Sequence, residues 1–458
     1  MAVHSAADAG SGLPYRPGSR PPAVTPEPAR PSRRALLPEW GAVAGAFFLL
    51  GYVYGNWVAR IPAIAAATGA GPGALGAALL AITAGAAVSM PLVGRLCARR
   101  PTASVVRVAA VLMPLTLPLA AFARSPWTLG LALGVFGMAM GALDVSMNAN
   151  AVAAVRRAGR PLMPAFHGMY SVGGMVGAAI GGLAAAQGVG VLRHLVAASA
   201  LGVVLGLVAG RRLPPDPAPT AAPIGIPTAD RPGQPASPGR IAGRRGRRAA
   251  VPIAGRPRRF AGLRRVDTLL IALGAIGFCS ALGEGAMADW SALFLHTVLR
   301  TGEGAAAAGF AAFSVAMSVS RFGGAAVLSR YDPGLVLAVG CSLAALGALL
   351  AALAPVAALA IVGFTAVGIG LSCAFPVVLN AAGAHPLGSG PAISVVTTVG
   401  YSGFLAGPPL IGGIAQWAGL RWGLAAVVLM AAVGAVLAGR RREELRRHDP
   451  SRDARPGG

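Results

Sequence analysis

The stretch WTLGLALGVFGMAMGALDVSMNANAV, residues 127–152, carries no charge for its first seventeen residues and then a single carboxylate, Asp144. A run of this length is what a helix needs to cross a hydrocarbon layer about 30 Å thick. It is one of about twelve such stretches of 20 or more residues between Trp40 and Gly439. Read between turn and charge signals, they predict spans at 40–62, 73–96, 103–123, 127–152, 164–187 and 191–210. After a long interruption, six more follow at 267–296, 304–328, 334–353, 356–381, 391–416 and 420–439.

Composition agrees with a membrane protein. Of 458 residues, 55% are apolar, 12% are charged and 65 are glycine, too apolar and too sparsely charged for a soluble core. All 39 basic residues are arginine, which points to a GC-rich bacterial genome. The formal charge of +24 would indicate nucleic acid only if the arginines formed a folded face. They lie almost wholly between or beyond the apolar runs, so no nucleic-acid partner is expected. Cys97, Cys279, Cys341 and Cys373 are far apart, without metal-ligand spacing, and read as small buried hydrophobes. Residues 1–38 are rich in Pro and Arg and do not resemble a secretory signal, so the first apolar run is expected to stay as a membrane helix.

The expected organisation is a disordered N-terminal tail over 1–38, a six-helix bundle over 39–210, a linker over 211–266, a second bundle over 267–439 and a tail over 440–458. The linker holds 13 Arg and 11 Pro with no sustained apolar period, which predicts a disordered connector able to touch anionic headgroups. Orientation follows from the arginines, because basic loops stay cytoplasmic. With both termini inside, 33 of the 39 arginines are cytoplasmic and only Arg60, Arg124, Arg193, Arg300 and Arg421 lie outside, Arg321 falling within a span.

The chain repeats itself. A shift of 231 residues lays Tyr170-Ser171 on Tyr401-Ser402 and Ile180-Gly181-Gly182 on Ile411-Gly412-Gly413; a shift of 233 lays Trp57 on Trp290 and Gly76 on Gly309. Two related halves with a site between them near the bilayer midplane is a transporter plan. Twelve spans, two halves and a long basic central loop resemble the major facilitator superfamily. Gly141-Ala-Leu-Asp144-Val-Ser-Met-Asn148-Ala-Asn150, Phe166-His167-Gly168 and Gly400-Tyr401-Ser-Gly403 are similar to its YbjJ-like branch, and the Asp144–Asn148 segment to fucose-proton symporters. The resemblance implies an all-α membrane protein, twelve transmembrane helices in two six-helix pseudo-symmetric bundles. It also implies a cytoplasmic gate near Gly94, Arg95 and Arg99, although Ala98 stands where the family's loop carries an acid. Drug-exporting branches place a Gly-Pro signature in the fifth span; here Pro408-Pro409 lies in the eleventh instead.

Ionisable side chains inside a bilayer cost about 2.5–3.5 kcal/mol each on insertion scales, so each needs a reason. Asp144, with Asn148 four residues on and on the same face, is a candidate for proton coupling or substrate contact; the alternative is a structural hydrogen bond between helices. Glu284, between Gly283 and Gly285, is a second proton candidate, and Asp289 a third. The five-residue spacing of Glu284 and Asp289 puts them about 140° apart, so one unbroken face is not expected to hold both. Arg321 and Arg330 read as gate or structural residues, with the Arg321 stem able to snorkel. Asn56, Trp57, Arg60, Asn148, His167, Tyr170, Trp290, Asn380 and Tyr401 are the substrate-cavity candidates, the aromatics either stacking on a ring or forming an interfacial belt.

No phosphate loop, metal cluster or nucleophile–base motif appears, so neither an enzyme nor a cofactor is expected. The expectation is a monomeric secondary transporter in a bacterial cytoplasmic membrane, moving a small polar, sugar-like solute with protons. The alternatives are proton-driven efflux of an amphipathic metabolite or drug, and a ligand sensor that does not transport.

Overall fold

The computed structural model describes residues 33–158, 162–215, 268–385 and 389–447. The tail before Arg33, linker residues 216–266 and the segment after Arg447, with the disorder expected of them, lie outside the described residues. The N-terminal half comprises α1 (Arg33–Val58), a short α2 (Ile61–Thr68), α3 (Pro72–Cys97), α4 (Thr102–Thr116) continued by a 3-10 turn over Leu117–Phe122, α5 (Pro126–Ala158), α6 (Met163–Ala186) and α7 (Val191–Gly210). The C-terminal half comprises α8 (Thr268–Thr297), α9 (Glu303–Arg330), α10 (Pro333–Leu353), α11 (Ala357–Leu371) with α12 (Ala374–Gly383), α13 (Ser389–Ala418), α14 (Leu420–Arg440) and a terminal turn α15 (Arg442–Arg447).

Among the described residues, eleven spans are long and apolar enough to cross a membrane, α4 with its 3-10 turn and α11 with α12 each making one. The twelfth, α13, is 30 residues long but diluted by Gly, Ser, Thr and the Pro408-Pro409 pair. The predicted spans all appear, with two boundary corrections. Helix α1 starts at Arg33, inside the expected tail, because Leu36 is buried and Glu39 pairs with Arg157 at 2.9 Å. At the other terminus α15 extends structure past 439, anchored by buried Leu445 among Leu269, Leu270, Leu273 and Leu337.

The repeat is a packing repeat. In the N-terminal half α1 packs on α6, α3 on α5 and α4 on α7; in the C-terminal half α8 packs on α13, α9 on α11 and α10 on α14. Small residues make this possible. A Cβ on Gly177 of α6 would run into Tyr52 O and the Asn56 N of α1, so only glycine lets the backbones meet there. The halves join along two seams, α6 with α9 and α3 with α13.

Candidate functional site

Between the halves lies a cavity of about 1410 Å³. Its mouth is built from helix ends: Met163 and Pro164 open α6, Leu328 and Ser329 close α9, Pro333 opens α10, and Leu445 of α15 stands beside them. This is the end where α1 begins and α14 finishes.

The opposite end is shut by backbone lying against backbone. A Cβ on Gly76 of α3 would meet Pro408 O of α13 at 2.5 Å, and one on Gly412 would meet Pro72 O at 2.6 Å. The Gln416 Oε1 accepts the Gly73 N–H at 3.1 Å across the same seam. On the other seam a Cβ on Gly304 would meet Gly182 O at 2.8 Å. Beside it Arg60 Nη1 pairs with Glu303 Oε2 at 3.3 Å, linking the halves.

Within the cavity the charged groups are few and come from three helices, α5, α8 and α9. Asp144 of α5 accepts a hydrogen bond from Asn148 Nδ2 at 3.0 Å, one helical turn away. Glu284 of α8 receives Arg321 Nη2 of α9 on both oxygens, at 3.2 and 3.4 Å, and Arg321 Nη1 reaches Ser171 Oγ of α6 at 3.3 Å. The Tyr54 hydroxyl of α1 donates to Asp289 Oδ1 of α8 at 3.5 Å, again between halves. Around them the wall is soft and aromatic. Met90, Met140, Met147, Met163 and Met317 line it, as do the ring pairs Phe310–Phe313 and Phe375–Tyr401, with centroids 6.1 and 5.5 Å apart.

Residues 42–393 match the family model of the Major Facilitator Superfamily. The chain belongs to the major facilitator superfamily. It is 33% identical over 388 residues to an uncharacterized MFS-type transporter of Yersinia pestis, covering 84% of this chain and 91% of that protein. It is 32% identical over 408 residues to the uncharacterized transporter y4wD of Sinorhizobium fredii, covering 88% and 98%. With the membrane protein MosC of Rhizobium meliloti it shares 29% identity over 398 residues, covering 87% and 88%. Among solved structures, it is similar to a bacterial homolog of the human lysosomal transporter Spinster in an inward-facing, unoccupied conformation (TM-score 0.61, 15% identity, 91% of this chain and 99% of that one). The nucleoside transporter NupG is similar too (TM-score 0.60, 14% identity, 89% and 98%). At such identities these structures share the fold.

This facilitator is therefore a multi-pass membrane transporter, and its cavity gathers only part of the candidate set. Asp144, Glu284, Asp289, His167, Tyr170, Asn380 and Tyr401 line the cavity. Arg321 joins them and pairs with Glu284, the structural one of the two roles read for it in the sequence. Asn148 stands behind Asp144 and orients it. Besides Asn148, four expected cavity residues do not line it. Trp57 and Trp290 are 1% and 0% exposed and packed within the helical core, because they occupy the arcs of α1 and α8 that face neighbouring helices. Asn56 and Arg60 are 0% and 2% exposed at the closed end. Gly94, Arg95, Arg99 and Arg330 sit at the mouth end, exposed, and do not line the cavity.

One geometric expectation is overturned. Glu284 and Asp289 do share the cavity although α8 is unbroken from Thr268 to Thr297. On the helical wheel Gly285 and Ala288 fall on the arc between the two acids, and their small side chains leave it open to the cavity. Residues not named as site candidates complete the picture: Ser171, known only from the repeat, receives Arg321, Glu303 receives Arg60, and His194 contacts Arg60. Glu303 had a readable signal, an acid opening a span on the side with few charges.

Proposed function

We propose that this transporter couples the movement of a small organic solute to protons, carried by Asp144, Glu284 and Asp289, in a bacterial cytoplasmic membrane with both termini inside. The observation that carries this reading is the gathering of three carboxyl groups and one guanidinium on a single cavity between the halves. Carboxyl groups placed out of bulk water are less costly protonated than charged, which suits them to take up and release a proton as their surroundings change. Alternating access supplies that change, the two halves rocking about the α6–α9 and α3–α13 seams. Tyr54–Asp289 and Arg321–Ser171 both cross between halves, so the state of either charged group bears on how the halves sit.

A sugar-like solute rests on resemblance to fucose-proton symporters. The methionine and aromatic wall favours a second reading, a solute with an apolar or ring body and a polar group, since such walls adapt to varied apolar shapes. Purified protein in liposomes with an internal pH dye, challenged with neutral sugars and amphipathic amines, tests both. Solute-dependent proton flux that disappears in Asp144→Asn is the expected result. Solute binding without any flux would sink transport in favour of a sensor, and full flux in both Asp144→Asn and Glu284→Gln would remove protons from these sites.

A further inference from the structure

Arg60 is a buried guanidinium that the cavity does not use. Its donors are spent in three directions: Nε to His194 Nδ1 at 3.1 Å, Nη2 to Val189 O at 2.6 Å, and Nη1 to Glu303 Oε2 at 3.3 Å. Only the last crosses to the other half. We propose that His194 is a positioning residue of the gate at the closed end, holding Arg60 where it meets Glu303.

The hydrogen bonds leave one arrangement. Because His194 Nδ1 accepts from Arg60, its ring proton is on Nε2, which donates to Asn56 Oδ1 at 2.8 Å. Asn56 cannot turn its amide round, since its Nδ2 donates to Tyr52 O at 2.8 Å. A chain thus runs from the α1 backbone through Asn56 and His194 of α7 to Arg60, and all three side chains are at most 4% exposed. Gly181 of α6 packs against this cluster, where a Cβ would meet Ala59 Cβ at 2.5 Å and His194 Cε1 at 3.3 Å.

The division of labour suits a gate. A long arginine side chain loses much rotamer freedom when it forms a pair. Here that freedom is already removed by bonds inside the N-terminal half, so Arg60 is aligned before Glu303 arrives. Glu303 is the first residue of α9, where a helix N-terminus favours an acid, and its side chain keeps 37% exposure. A pair so hydrated is of modest strength, and it can part and re-form in each cycle. The inference rests on alternating access and is independent of proton coupling.

Spin labels at Gln187→Cys and Val356→Cys, on opposite halves at the closed end, read the gate by double electron–electron resonance with the four native cysteines replaced by serine. The parent should show one short distance. His194→Leu should add a longer one, moving the closed-to-open ratio by at most about fivefold, since the shift cannot exceed the modest worth of the Arg60–Glu303 pair that His194 positions. His194→Gln should restore the parent distribution, because its amide oxygen can accept from Arg60 while its amide nitrogen donates to Asn56. A Leu variant that matches the parent, or a Gln variant as open as Leu, overturns the proposal. Should His194→Leu not fold, Glu303→Gln, altered at a part-exposed side chain, must show the longer population, and its absence overturns the proposal equally. Proton flux lost with unchanged distances would count against the coupling reading and leave this one standing.

Discussion

The two halves are built alike and charged differently. Each packs its first span on its fifth, its second on its fourth and its third on its sixth. Yet the N-terminal half gives the cavity one carboxylate, Asp144, held by a neighbour on its own helix, whereas the C-terminal half gives Glu284 and Asp289 with Arg321 bound between helices. The repeat preserves backbone geometry, which small residues fix, and leaves the lining side chains to diverge. One half offers an acid without a cation, the other a compensated pair and a second acid met by a tyrosine of the opposite half.

That contrast can be broken first at the scaffold. Gly177→Val on α6 and Gly403→Val on α13 each drive a side chain into a neighbouring backbone, Tyr52 O in one half and Phe278 O in the other. Both should cost about 3 kcal/mol, at the upper end of overpacking because backbone does not yield, in detergent unfolding monitored by fluorescence. A tolerant C-terminal half would mean that the halves are not equivalently packed. The chemistry comes next. Arg321→Met strands the Glu284 carboxylate and should cost about 2 kcal/mol, below the ~3–5 kcal/mol of a fully buried pair because the partners keep 18% and 19% exposure. Adding Glu284→Leu should recover the unfolding midpoint but not the flux; a midpoint that stays low would locate the damage outside the pair. Smallest in stability is Asp144→Asn, within about 0.5 kcal/mol, since Asn148 keeps an acceptor there, while flux is lost. Equal destabilisation by Asp144→Asn and Arg321→Met would erase the distinction between the halves.

Much of this was legible in the chain. Spans announce themselves because an uncharged run of twenty residues has few other uses, and the acids stand out because charge inside a span is costly. Tyr170 with Tyr401 marked the repeat and both face the cavity. Trp57 and Trp290 marked it too and do not, because hydrophobic periodicity is silent on a helix buried on nearly all sides, as α8 is. The shared placement of Glu284 and Asp289 depended on the emptiness of the arc between them, which wheel angles alone do not convey. His194 was hidden for another reason. Its meaning lies in a hydrogen bond to a residue 134 positions away.

The closed seam has an electrical consequence. A cavity of about 1410 Å³ open at one end is large enough to hold water, which would bring it toward the potential of the compartment it faces. The membrane voltage then falls across the short shut end instead of the whole bilayer, where each elementary charge moved through 100 mV is worth about 2.3 kcal/mol. Arg60 and Glu303 stand at that shut end. In the alternating-access cycle proposed above, their parting would move charge in the steepest part of the field.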